Sequence, residues 1–368
     1  MRIMARTAAA AAGVALAITT GLGAANADPS FQPDGADIVG VGSDTTQFAL
    51  NDLAATYNAA FTGGDIASWD AVNPATGLPG DTIWAVDQDN DGVQDANNET
   101  IVRPNGSGAG INHLRLDAAC DGTQDSFVDF ARSSRARQAS DSLCGGVTAG
   151  PQVLFLPFAL DNMRYASNQN NAAVGSFPGD SAGTNVPDGL TAAQLASIYN
   201  CSVDQWSDLN PAWSTALIDA KIPQTGSGTR SAFLAAIGVS APGTCVDAVQ
   251  EHDASAVDGN ANAIVPFSVG RYNTAVPADA SNVKPVKLNT TGFFLSRPLF
   301  NVVIDQTPAD GTNAGGIRSD LQNLFGDNDV DWGWICSDAA KADIEAAGFI
   351  QLDTLDEGEE TNPCGLAQ

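Results

Sequence analysis

Three times in this chain an apolar stretch breaks into a turn of Gly, Ser or Thr and passes into a helical pattern, and a fourth apolar stretch ends in serines flanked by arginines. The fullest example spans 222–238, IPQTGSGTRSAFLAAIG. Here Thr225-Gly226-Ser227-Gly228-Thr229 leads into a short helix bearing Phe233, Leu234 and Ile237. Ser227 or Thr229 can serve as N-cap, and the flanking glycines permit the backbone angles of a tight turn. A helix start leaves N–H groups unpaired and carries partial positive charge, so it suits an oxyanion. Arg230, one residue into the helix, adds a planar cationic fork. A lone junction of this kind is ordinary loop capping. The recurrence is what points to binding.

The other members follow the same logic. An apolar strand at 38–41 ends in Gly42-Ser43-Asp44-Thr45-Thr46 and continues into a helix carrying Phe48, Leu50, Leu53 and Tyr57. Ser43 or Asp44 is a suitable N-cap, while Ser43, Thr45 and the neighbouring N–H groups can hold an oxyanion. Ile101-Val102-Arg103-Pro104 precedes Asn105-Gly106-Ser107-Gly108, then Ile111 and Leu114. The strand-like 127–130 runs into Ala131-Arg132-Ser133-Ser134-Arg135. Three arginines in six residues (Arg132, Arg135, Arg137) exceed what a solvated face needs in so acidic a chain.

Residues 62–98 read as an inserted loop region rich in Gly, Asp, Asn and Pro. Within it, Asp87, Asp89 and Asp91 followed by Gly92, with Asp95 further on, match the front of a calcium loop. The bidentate Glu expected at position 12 is replaced by Asn98, with Glu99 one place late. The alternatives are a structural calcium and a solvated acidic loop; no other cofactor is expected.

Further on, 153–160 is a near-continuous apolar run, the pattern of a strand buried on both faces, and 161–165 prolongs it. A helix at 190–199, apolar strands at 263–267, 291–299 and 302–304, and a helix at 338–348 complete the pattern. Strands alternating with helices predict an α/β architecture with mostly parallel sheets.

Residues 1–27 read as a Sec-type signal peptide: Arg2 and Arg6, an apolar stretch from Ala8 to Leu22, then Ala25-Asn26-Ala27 before a cut at Asp28. A secreted, soluble product is expected, and no Cys follows the cut to take a lipid. Taking 27 residues from 368 leaves 341, enough for two domains. The formal charge moves from −27 to −29, because Arg2 and Arg6 leave with the leader. Such a chain repels nucleic acid, and an anion can be held only by donors at close range, where screening over roughly 8–10 Å weakens the opposing field. The six cysteines suit an oxidising compartment, and pairing of sequence neighbours (120–144, 201–245, 336–364) is expected. With no C-x-x-C and only His113 and His252, a zinc site is not expected.

The ordered set GVGSDTTQ, NGSGAG, VDFARSSR, PFALDNMRYA and TGSGTRSAF resembles the phosphate-binding proteins of phosphate ABC transporters. The resemblance runs from about Ile38 to the strands near Val303. It implies a two-lobed type II periplasmic-binding-protein fold, mixed and parallel sheets flanked by helices, with a two-strand hinge. Crossovers would fall near 158–161 and 265–268, giving lobe 1 as 28–159 plus 266–368 and lobe 2 as 160–265. The family's phosphate ligands, carried onto this chain, are Ser43, Asp44 and Thr45; Ser107; Ser133 and Ser134; and Ser227, Gly228 and Thr229. Many members place an Asp where Ser134 stands, to accept the proton of hydrogen phosphate, and Asp44 is the substitute acceptor here. Many also carry an Arg shortly before SGT, where this chain has Pro223, so Arg230, Arg132 or Arg135 would supply the charge.

The resemblance thus implies a monomeric exported receptor, not an enzyme, that takes inorganic phosphate or a similar oxyanion and passes it to an ABC permease. Two other classes stand beside it. A secreted phosphatase or other hydrolase is one, although the only histidines, His113 and His252, sit in settings that suggest no catalytic dyad. A calcium-binding matrix or adhesion protein reusing the fold is the other.

Overall fold

The computed structural model describes residues 28–62, 64–89, 91, 95, 98–117, 127–141, 152–169, 183–305, 317–326, 332–353 and 363–367. The expected leader, and Cys120 with Cys144, lie outside these residues.

The first strand, β1 (Ile38–Gly42), is buried along its whole length and leads into α1 (Gln47–Ala60), which turns Leu50, Leu53 and Ala54 inward. β2 (Ile66–Ser68) pairs parallel to β1. The stretch expected as an inserted loop is partly regular: β3 (Thr82–Asp87) and β4 (Asn98–Val102) form an antiparallel pair. Ile83, Ala85 and Val86 of β3 are buried and Trp84 is half-buried, an apolar and aromatic run that the loop-like composition around it obscured. After the Gly-Ser turn comes α2 (Ser107–Asp117), then β5 (Phe130–Ser133), parallel to β1 on its other edge.

Two long strands organise the rest. β6 (Gln152–Asn168) continues without interruption through 17 residues. The helices α3 (Ala192–Tyr199) and α4 (Trp206–Leu209) precede β7 (Asp219–Pro223), α5 (Gly228–Ile237) and β8 (Asp247–Val249). Then come β9 (Ala263–Ser268), α6 (Val269–Ala275), β10 (Val286–Leu288) and β11 (Leu295–Asp305). Expected as two strands, β11 is one, with a register shift between Leu299 and Phe300 just after Pro298. The chain ends with α7 (Ser319–Phe325), α8 (Asp338–Ala346) and the short β12 (Ile350–Gln351).

The main sheet is ordered β2-β1-β5-β11-β6-β9-β7-β8, with β10 and β12 also on β6. β11 lies antiparallel to β6 from Leu295 opposite Met163 to Asp305 opposite Gln152. Side chains of β6 feed different cores along its length. Phe158 packs with Ile38, Leu50 and Phe325, and Phe155 with Val41, Ile111 and Phe300. Beyond residue 162, Met163 and Tyr165 join Tyr199, Phe233 and Ile264, while Ala166 joins Val265, Phe267 and Val286. A strand that changes cores midway is what a two-lobed α/β chain needs, and the sheet and its helices form that mixed α/β fold.

β9 pairs with Met163–Ser167 of β6, and β10 with Ala166–Asn168 on the opposite edge, so residues 263–288 stay with the far half of β6. We propose on this pairing that the second lobe extends to β10 and that β11 is the return, later than a boundary at 265. Cys201–Cys245 and Cys336–Cys364 are disulfides, as expected from their sequence proximity. Among the described residues no helix is long and apolar enough to cross a membrane.

Candidate functional site

The start of α5 fixes the geometry. Ser227 is the N-cap: its backbone is extended and its Oγ accepts the Arg230 N–H at 3.0 Å. This leaves the Thr229 hydroxyl free of capping duty. It lies 3.3 Å from Thr45 Oγ1, which is 3.1 Å from Ser134 Oγ. Ser134 Oγ is in turn 3.4 Å from Ser107 Oγ, and the Ser134 N–H donates to Ser107 Oγ at 3.0 Å. All four turn elements of the sequence thus meet at one place, and Ser43, Thr45, Ser107, Ser134, Ser227 and Thr229 are no more than 1 % exposed.

The approach of the turns demands glycine. A Cβ on Gly228 would stand 2.3 Å from both Ser107 Oγ and Ser134 Oγ. Gly106, at φ +108°, would place one 2.7 Å from the Gly226 carbonyl, which accepts the Gly108 N–H at 2.8 Å. Backbone contact therefore ties the start of α2 to the start of α5.

The cation at this cluster is Arg297, on β11. Its Nη2 donates to Thr229 Oγ1 at 2.9 Å and reaches Thr45 Oγ1 at 3.5 Å, while Nη1 donates to the Ser134 carbonyl at 2.9 Å. Nε and Nη2 both hold Asp161 Oδ2, at 3.0 and 2.8 Å, and Ser268 Oγ donates to the other oxygen of that carboxylate at 2.7 Å. Asp161 is fully buried, so this bond network fixes both the pair and the aim of the guanidinium.

The three arginines expected to supply charge point elsewhere. Arg132 is fully buried and donates to the carbonyls of Gly40, Ser43 and Trp69 and to Ser68 Oγ, so it braces the loop from beneath. Burial brings its pKa down to about 10, with Asp70 and Asp44 pulling the other way. Arg135 forms a two-pronged ion pair with Asp141 at 2.7 and 2.9 Å. Arg230 donates to the Pro223 carbonyl at 2.9 Å. Ser133 Oγ serves its own turn, donating to the Arg135 carbonyl at 2.9 Å.

Asp44 is buried and occupied. Its Oδ1 lies 2.7 Å from His252 Nδ1 and 3.6 Å from Arg271 Nη2. Burial opposes its ionisation, but the Arg271 charge and the His252 hydrogen bond outweigh it and hold the carboxyl below its ordinary range. The expected role as a free acceptor for a ligand proton therefore does not match its surroundings. Arg271 also stacks 4.0 Å from the Phe48 ring centroid.

Five residues of this region carried no functional reading in the sequence: Asp161, Glu251, His252, Arg271 and Arg297. The Glu251 carboxylate is the unexpected one. It is 3 % exposed, and its Oε1 accepts the Thr229 N–H at 3.3 Å and the Thr45 hydroxyl at 3.1 Å. His252, next to it, adopts φ +59°, a conformation that costs of order 1–3 kcal/mol and marks a constrained turn. Ser43 Oγ, Glu251 Oε2, His252 Nε2, and Arg271 Nε and Nη1 are buried with no hydrogen-bond partner among the described residues. Unpaired buried polar atoms call for an explanation, and five of them gather on four residues of this region.

On the β3–β4 connection, carboxylate oxygens of Asp87, Asp89 and Asp91 lie within 4.8 Å of one another. Asp95 is outside that group; its N–H donates to Asn98 Oδ1 at 2.5 Å. Three converging carboxylates have the chemistry of a hard-cation site, and exposed acidic groups also cluster without one.

A two-lobed α/β chain whose helix starts and hydroxyls meet between strand ends has the form of a binding receptor. Residues 27–292 match the family model described as the PBP superfamily domain, and the chain belongs to that superfamily. No curated protein matches it in sequence. Among solved structures, it is similar to a candidate phosphate ABC transporter substrate-binding protein with bound phosphate from Clostridium perfringens. That match has 17 % identity and a TM-score of 0.50, and covers 86 % of this chain and 100 % of the other. An ABC-type phosphate transport receptor from Vibrio cholerae aligns at 19 % identity and TM-score 0.49, over 85 % of this chain and 99 % of that one. At 17 % identity the likeness to the Clostridium perfringens protein speaks to fold alone.

Proposed function

We propose that this chain is an exported solute-binding protein that captures an oxyanion, inorganic phosphate first, between its two lobes and presents it to an ABC permease. The observation that carries this reading is the meeting of Thr45, Ser107, Ser134 and Thr229 around the Arg297 guanidinium. Hydroxyls, the Thr229 N–H of a ten-residue helix and a fixed guanidinium are the donors that replace the water shell of an anion. They come from both halves of β6's sheet, so an ion that touches them all favours a closed arrangement of the lobes. The acidity of the chain opposes capture only at long range, and these donors act at contact.

Phosphate is placed ahead of other oxyanions by the motif resemblance, and the phosphate-bound structural relative is consistent with that order. Calorimetric titration of the mature chain, beginning at Asp28, tests the reading. Saturable 1:1 binding of phosphate, with sulfate weaker, is expected. Absence of phosphate binding, together with turnover of a phosphomonoester, would replace it with the hydrolase reading.

A further inference from the structure

We propose that Glu251 is a built-in anionic competitor for the oxyanion donors, and so sets the affinity of the site. The inference rests on the oxyanion reading above. The carboxylate of Glu251 takes the Thr229 N–H at 3.3 Å and the Thr45 hydroxyl at 3.1 Å, two of the donors assigned to the ligand. Its second oxygen is buried without a partner, so it is not placed there to complete a network of its own. A carboxylate and an oxyanion face present the same acceptor chemistry to a helix start, and one set of donors serves one of them at a time.

The surrounding charges make the competition pronounced. Arg297 is the cation bonded to both Thr45 and Thr229, and Asp161 already engages it. Arg271 and His252 are engaged by Asp44. A dianion entering beside an ionised Glu251 would meet a like charge at close range in a buried site, where repulsion is weakly screened. The carboxylate must therefore swing out when the ion enters. Its backbone allows this: Glu251 follows β8 and sits outside any strand or helix, anchored by its N–H on Gln224 Oε1 at 2.8 Å. The site thus exchanges one anion for another, and the apparent affinity is reduced by the fraction of molecules in which Glu251 holds the donors.

The test compares wild type with Glu251→Gln and Glu251→Ala, each as the full mature chain, by titration with phosphate and with sulfate. Gln keeps the shape and removes the charge; Ala removes the competitor altogether, and thermal unfolding of both verifies folding. Tightening of both ions by about tenfold or more in each variant is expected, which corresponds to relief of one close like-charge contact. Wild type that binds phosphate while neither variant binds it more tightly overturns the competitor and leaves the receptor reading standing. Variants that bind an anion the wild type does not bind support the competitor and remove the transport role from the natural chain. Failure of all three proteins to bind either ion overturns both.

Discussion

Arg297 and Asp161 are register partners on β11 and β6, and the guanidinium that holds Asp161 at 2.8 Å also donates to Thr229 at 2.9 Å. The cation of the candidate site is therefore aimed by the two longest strands of the fold, not by the loop that it serves. Removing it should be felt twice. Arg297→Ala leaves a fully buried carboxylate without its cation, which costs on the order of 3–5 kcal/mol of stability by chemical denaturation. Arg297→Lys retains a charge but not the planar fork, and should fold while binding phosphate at least about tenfold more weakly, given ~1.5–3 kcal/mol for a charged hydrogen bond. Unchanged phosphate affinity in the lysine variant would take Arg297 out of the site.

Thr229 and Arg230 are adjacent in sequence and should behave differently. Thr229→Val removes a hydroxyl that receives Arg297 and faces Thr45, and should weaken phosphate binding by roughly an order of magnitude. Arg230→Ala removes a side chain that donates to the Pro223 carbonyl, and should leave affinity within about twofold while altering stability by ~1 kcal/mol. Equal losses in the two variants would mean that Arg230 reaches the ligand after all.

Asp70 gives a pH signature separate from ligand binding. Burial, with smaller contributions from Asp28 and Asp44, raises its pKa to about 6 against the Asn51 hydrogen bond and Arg132. Below about pH 3 the carboxyl is protonated in the folded and unfolded chain alike. As pH rises toward 6 the unfolded chain releases this proton first, so Asp70's stabilising share falls through that window and is gone above it. Asp70→Asn should abolish this portion of the pH dependence and raise stability at pH 7 by on the order of 2–3 kcal/mol. A difference between variant and wild type that does not change from pH 4 to 7 would contradict the assignment.

The Cys201–Cys245 bridge spans 44 residues, and loop-closure entropy gives it about 4 kcal/mol. The double replacement Cys201→Ser and Cys245→Ser should lower the denaturation free energy by that order, under oxidising conditions. A loss of less than about 1 kcal/mol would show that the helical packing around Tyr199 and Phe233 holds this part of the chain unaided.

What the sequence revealed and what it hid divide along physical lines. Gly-Ser turns before apolar helices are local signals, because capping and glycine conformation are decided within a few residues, and all four such elements do meet. The disulfide partners were also near in sequence. Arg297 was hidden because it lies 136 residues from Asp161 and 163 from Ser134, and only strand pairing brings them together. The arginine cluster at 132–137 misled for the converse reason: Arg132 lies on β5 and turns beneath the sheet end, while Arg135 lies in the turn after the strand and pairs with Asp141, so closeness in sequence did not give a common target. Glu251 lay in a polar loop with no periodic pattern. Nothing local distinguishes a carboxylate aimed at a helix start from one facing water.

The central claim is that the Thr229 N–H, the Thr45 and Ser134 hydroxyls and Arg297 form one oxyanion site. A crystal structure of the mature chain grown with saturating phosphate tests it most directly. The account predicts a tetrahedral ion within hydrogen-bond distance of these groups, with the Glu251 carboxylate moved off Thr229. Phosphate bound elsewhere, or Glu251 still seated on the Thr229 N–H at saturation, would contradict it.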